Sequence, residues 1–99
     1  MSKIPIKHIH EDFSKDNFRI QDLDSLLKDH DMTQALHRHD FFFILFIEKG
    51  RGKHIIDFES FPVTNQSFFF MRPGQVHELE LKKGCTGFIL EFDTKFYSP

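Results

Sequence analysis

The strongest pattern in the chain begins at His37. Read as one extended strand to Glu48, it places His37, His39, Phe41, Phe43, Leu45 and Ile47 on one face. Arg38, Asp40, Phe42, Ile44, Phe46 and Glu48 fall on the other. The middle is apolar on both faces, which predicts a strand covered on both sides. Lys49-Gly50-Arg51-Gly52 then turns into a strand over Lys53–Phe58, and Phe61–Val63 reads as another short one. Thr64-Asn65-Gln66-Ser67 turns into Phe68–Met71, which ends at Arg72-Pro73-Gly74-Gln75. Val76–Leu81, the turn Lys82-Lys83-Gly84 and Thr86–Phe92 complete the series.

Upstream the pattern is weaker. Met1–His10 alternates at Ile4, Ile6 and Ile9, as an N-terminal arm or short edge strand does, and Glu11–Asn17 is polar and turn-like. Asp22 is placed to cap a short helix whose Leu23, Leu26 and Leu27 form an i, i+3, i+4 stripe. His30–Thr33 then reads as a loop, and Asp93–Pro99 as the start of an element that is not included. Short strands with turn signals every 8–12 residues predict an all-β sandwich or barrel. There is no βαβ rhythm, internal repeat or low-complexity tract. The expected organisation is an arm and short helix over residues 1–34 packed on a barrel over 35–99.

Composition narrows the function classes. A chain of 99 residues and 11.8 kDa, 39% hydrophobic and 28% charged, has room for one folded domain. Fourteen phenylalanines against one tyrosine and no tryptophan suit strands in thick packed layers. A formal charge of −2 is wrong for a nucleic-acid binder of this size, which needs a basic excess to replace phosphate counterions. No apolar run reaches the ~18 residues of a membrane span, and Met1–Lys7 lacks the apolar core of a secretory signal. One cysteine excludes an internal disulfide and a cysteine-rich zinc knuckle. A cytoplasmic protein without membrane partners is expected.

The residues that can carry chemistry are histidines. His37 and His39, two apart on a strand, point the same way, and on Val76–Leu81 His77 shares a face with Leu79 and Leu81. The three are expected to converge near one mouth of a barrel, where neutral imidazoles suit zinc, iron, nickel or copper. The plainer alternative is a set of polar groups at strand ends, hydrogen-bonded to the arm or to a small ligand. Asp40 and Glu48, the nearest acids, face away from His39, so a metal site here rests on three histidines alone. Asp57 is open to two readings, a pocket carboxylate or a turn residue. Cys85 has no base nominated beside it and reads as structural. Nucleophile-elbow, phosphate-loop and zinc-protease motifs are absent.

Three segments together resemble a known family: His37-Arg38-His39-Asp40-Phe41, then Glu48 through Phe58, then Ser67 through His77 with its Pro73-Gly74 turn. They are similar to the N-terminal sensor domain of AraC-type transcription regulators, and the likeness continues through Gly87–Phe92 and Phe96-Tyr97, over about two thirds of the chain. The resemblance implies a cupin: a small double-stranded β-helix, or jelly-roll barrel, that binds an effector inside and often contributes to dimerisation. His37 and His39 match the histidines of the first cupin motif, and His77 that of the second. The carboxylate of the first motif is missing, with Phe43 and Ile44 in its place, as is the glycine that starts the second. These departures argue against dioxygenase or isomerase chemistry and for a binding domain that is not an enzyme.

The expected function is thus effector sensing, dimerisation or both in a bacterial transcription regulator. Its ligand pocket is expected from the inward side chains Phe41, Phe43, Phe70, Phe88 and Leu90, with His37, His39 and His77 at the polar end. The partners implied are a small-molecule effector, a second copy in a homodimer, and DNA only through a C-terminal helix-turn-helix domain outside this chain. No cofactor is expected, unless the three histidines hold a divalent metal such as zinc, nickel or iron. The alternative is a stand-alone small cupin, either a metal-dependent enzyme or a binding protein. A third reading has the barrel filled by its own side chains, with Phe42, Ile44 and Phe46 serving a helix or partner subunit.

Overall fold

The computed structural model describes residues 6–7, as backbone, and 18–93. The polar segment Glu11–Asn17 and the residues after Asp93 lie outside the described residues. The described residues form nine strands: β1 (Ile6–Lys7), β2 (Phe18–Asp22), β3 (Met32–His39), β4 (Phe42–Lys49), β5 (Gly52–Ile56), β6 (Glu59–Val63), β7 (Ser67–Met71), β8 (Val76–Leu81) and β9 (Thr86–Phe92). One helical turn, α1 (Leu23–Leu26), follows β2 and is capped by Asp22, whose side chain accepts from the Asp24 amide.

The strands form two sheets, ordered β1-β3-β8-β5-β6 and β2-β9-β4-β7, antiparallel except for the β1–β3 pair. Alternation sends one face of each sheet inward. The first contributes Leu79, Leu81 and Val63, the second Phe43, Leu45, Ile47, Met71 and Ile89, and all belong to one buried cluster. Leu23 and Leu27 of the helical turn, both 0% exposed, join it, as the leucine stripe predicts. Residues 18–34 therefore supply strands to both sheets as well as the helix. On β9, Gly87 lies so close to β4 that a Cβ there would run into the Phe46 carbonyl.

Three features depart from the sequence reading, each for a local reason. The stretch His37–Glu48 is two strands in different sheets, joined by a corner at Asp40-Phe41. Odd-numbered residues stay inward through the corner: His39 stacks on Phe41 with ring centroids 4.4 Å apart and planes 14° apart. Second, β5 ends at Ile56, and Asp57 and Phe58 make a two-residue hairpin turn with φ of 49° and 69°. Left-handed values at both positions mark the twisted hairpin turn usually built from Asn-Gly or Asp-Gly, and a phenylalanine hides that signal. Third, β3 begins at Met32 and carries a bulge between Gln34 and His37.

The strained turn yields a direct expectation. Phe58 is 71% exposed, so its ring adds little to the core, while an L-residue in the left-handed region costs ~1–2 kcal/mol. Phe58→Gly should raise unfolding free energy by about 1 kcal/mol, read from the urea midpoint at unchanged m-value. A fall in the midpoint would show that the ring makes a contact worth more than the strain.

Candidate functional site

The bulge in β3 builds the site. Met32 and Gln34 pair with Leu81 and Leu79 of β8, while His37, three residues after Gln34, pairs with His77, two residues before Leu79, so β3 holds one residue more than its partner. An inserted residue reverses which parity faces inward. Even-numbered Met32 and Gln34 point in before the bulge, and odd-numbered His37 and His39 point in after it. The Ala35 carbonyl within the bulge is 2.6 Å from His37 Nδ1. A carbonyl only accepts, so His37 Nδ1 carries the proton and, in the neutral ring, Nε2 presents a lone pair.

His39 is held by backbone: the amide of Gly74, in the Pro73-Gly74 turn, donates to its carbonyl at 2.8 Å. That turn leads into β8 and His77. The Asp57 amide donates to the Val76 carbonyl at 2.8 Å, and its carboxylate accepts from the Val76 amide and the Gln75 side chain at 3.1 and 2.9 Å. These bonds hold its carboxyl below the usual aspartate range, the Gln75 side-chain bond first and the Val76 amide second. Asp57 is thus a turn residue that staples the hairpin to the strand bearing His77, and the pocket-carboxylate reading is set aside.

The three sequence-predicted histidines meet. His37, His39 and His77 are 5%, 2% and 0% exposed. Their Nε2 atoms lie 2.7 Å (His37–His39), 3.1 Å (His77–His37) and 3.2 Å (His77–His39) apart. Ligand nitrogens around a tetrahedral ion at ~2.0–2.1 Å stand roughly 3.3 Å apart; the two edges to His77 are within about 0.2 Å of that, and the His37–His39 edge is about 0.6 Å shorter. Three neutral imidazoles suit zinc and nickel as well as iron. The donor set therefore fits a divalent transition metal.

A fourth histidine escaped the sequence reading. His54 on β5 is 0% exposed, and its Nε2 is 2.8 Å from His77 Nδ1. Its own Nδ1 is buried with no hydrogen-bond partner among the described residues. Burial pushes its pKa down to about 4, so the ring is neutral at pH 7. When His77 Nδ1 donates to His54 Nε2, His77 Nε2 is left with its lone pair toward His37 and His39. The signal was in the strand's own alternation: Lys53 and Asp57 are charged, which sends Gly52, His54 and Ile56 inward.

The aromatic residues assigned to the pocket divide. Phe41 and Phe43 are inward, at 0% and 1% exposure. Phe43, in the place of the missing carboxylate, lies 5.0 Å from the His77 ring and 5.1 Å from the His39 ring. Phe70, Phe88 and Leu90 are on the opposite, outer face of the second sheet, which corrects their placement in the pocket. Phe70 is 50% exposed and pairs across strands with Ile44, as Leu90 does; Phe88 pairs with Phe46. Phe69, Met71 and Ile89 are the inward members of those strands. Cys85 is buried, its Sγ 3.4 Å from the Arg51 carbonyl.

A solved structure of a cupin protein from Bacteroides fragilis superposes with a TM-score of 0.52 at 17% identity, over 82% of this chain and 80% of that one. The likeness establishes the cupin fold. The uncharacterized HTH-type transcriptional regulator YfiF of Bacillus subtilis (strain 168) is 26% identical over 58 residues, 59% of this chain. That alignment spans 18% of the regulator's own length. The model of the AraC-like ligand binding domain family matches residues 25–98, a stretch that contains every histidine of the cluster. With two sheets of cupin form around the paired motif histidines, the chain belongs to the AraC-like ligand binding domain family.

Proposed function

We propose that the chain is the effector-sensing domain of a bacterial transcription regulator, and that the effector is read at a divalent transition metal held by His37, His39 and His77. The observation that carries the reading is the triangle of buried Nε2 atoms 2.7–3.2 Å apart. When bound, the metal would supply a Lewis-acidic position for an oxygen or nitrogen donor of a small effector. The chain's own residues do the rest: Ala35 and His54 orient two of the rings, and Phe41 and Phe43 exclude water from them. With Phe43 in the carboxylate position, the described residues place no carboxylate among the three imidazoles, which favours binding over catalysis. DNA contact belongs, on this reading, to a helix-turn-helix domain outside these 99 residues, in a cytoplasmic protein. No described helix is long and apolar enough to cross a membrane.

The test is metal analysis of tag-free protein, followed by titration of the metal-free chain with Zn²⁺, Ni²⁺ and Fe²⁺. One equivalent should bind, and free ion at a hundred times its Kd should add about 2.7 kcal/mol to stability. His39→Ala should abolish the gain. No bound metal and no change in melting with any of the three ions would overturn the metal reading. The burial of Phe41 and Phe43 favours a second reading in that event, a barrel filled by its own side chains whose imidazoles only bond to one another.

A further inference from the structure

The row of inward side chains next to the histidine triangle is polar at two points. Register across the first sheet aligns Gln34 of β3, Leu79 of β8 and His54 of β5, with Leu79 between the other two. Alternation turns all three inward, one row along from His37, His77 and Ile56. His54 is 0% exposed, and its Nδ1 has no hydrogen-bond partner among the described residues; the same holds for the buried Oε1 of Gln34. With His77 Nδ1 donating to His54 Nε2, the proton of the neutral His54 ring sits on Nδ1. The row therefore carries one unmatched donor and one unmatched acceptor. The Phe69 ring, edge-on to His54 at 4.7 Å between centroids, is at best a second-order acceptor. Buried polar atoms are paired almost throughout native proteins, and one left unpaired costs folding free energy. Two of them flanking one leucine serve something other than the fold.

We propose that Gln34 and His54 determine which effector the domain accepts, by selecting an uncharged group that both accepts and donates a hydrogen bond: a carboxamide or a hydroxyl. The group's oxygen accepts from His54 Nδ1–H, and its own N–H or O–H donates to Gln34 Oε1. A carboxylate cannot do both. Its lone pairs suit His54, but it has no proton to give to Gln34 Oε1. Its charge would also be desolvated among Leu79, Phe43 and Phe69, all packed in the core beside His54. The pair adds a ligand class to the effector-sensing reading, on which its role rests, and it works without the metal.

Acetamide, ethanol and acetate, titrated into the metal-free 99-residue chain and followed at the His54 ring nitrogens by NMR, test the assignment. A saturable shift at Nδ1 is expected with acetamide or ethanol, with a dissociation constant of roughly millimolar order for so few atoms. Whichever binds tighter tells a carboxamide from a hydroxyl. Acetate should bind at least ~10-fold more weakly. Gln34→Met keeps the side chain's shape and removes the acceptor, so it should weaken the neutral probe at least ~10-fold. It should also raise the melting temperature by ~4–8 °C, because it deletes a buried atom that the fold leaves unpaired. No saturable shift with either neutral probe, acetate binding as tightly as acetamide, a response unchanged in Gln34→Met, or a lower melting temperature in that variant would each overturn the proposal. Metal binding by His37, His39 and His77 is read in a separate titration, so failure of one leaves the other standing.

Discussion

Phe43→Ala is expected to remove ~3–5 kcal/mol of stability, the range for deleting a fully buried aromatic ring. At ~0.05–0.15 kcal/mol per residue the whole domain has only about 5–15 kcal/mol to lose, so the variant should sit near its unfolding threshold at 37 °C. The size follows from location. Phe43 is 1% exposed, belongs to the main cluster, and lies against His39, His77 and His54 with ring centroids at 5.1, 5.0 and 6.3 Å. Its loss opens a cavity beside the imidazoles that neighbouring strands cannot close without breaking ladder bonds. Phe70→Ala, on the outer face, should cost under ~1 kcal/mol in the monomer. Urea unfolding of both variants at low protein concentration gives the contrast. Equal costs would return Phe70 to the interior and undo the assignment of faces.

His54 should make the domain acid-labile. Its folded pKa of about 4 is below the ordinary histidine value of 6.5. A depressed pKa means the folded state resists a proton that the unfolded chain accepts, so this stability is complete above pH 6.5 and lost as pH falls toward 4. Through that window the shift corresponds to roughly 3 kcal/mol. His54→Gln keeps an acceptor for His77 Nδ1 and cannot titrate; the difference between wild type and variant should shrink steadily as pH falls from 6.5 to 4. The same pair of variants separates titration from positioning. His54→Gln should hold metal affinity within a few-fold, whereas His54→Leu, which leaves His77 Nδ1 without an acceptor, should lower it ~10–100-fold. Equal affinity in wild type and His54→Leu would show that His77 is oriented by packing alone.

The parts of the fold legible in the sequence were those with a chemical mark. Gly50 and Gly52, Thr64–Ser67 and Lys82–Gly84 announced their turns, and Asp22 announced its cap. The spacing of His37, His39 and His77 announced the site, because two-residue periodicity and the Pro73-Gly74 break leave few ways to point three imidazoles. Illegible were the places where both parities are apolar. Phe68-Phe69-Phe70 satisfies either face, so alternation alone does not assign it; pairing with β4 decides, and it put Phe70 outside, whereas Phe41 and Phe43 took their face from His37 and His39. The Asp57-Phe58 turn was hidden because its second residue is one that left-handed backbone disfavours. The sheet change at Asp40-Phe41 was hidden because parity runs through it unbroken.

The bulge at Ala35-Leu36 makes the centre a matter of counting. Every ligand could be kept, every core residue left in place, and the site still dismantled by removing one residue from β3, which would swing His37 and His39 to the solvent side. Chain length at one point thus acts as an on–off setting for the imidazole triangle, separate from residue identity. Relatives that keep all four histidines but differ by one residue between Gln34 and His37 would carry the letters of the site without its geometry. When such domains are sorted into metal-competent and metal-free groups, the spacing upstream of the first histidine is the measurement to make first.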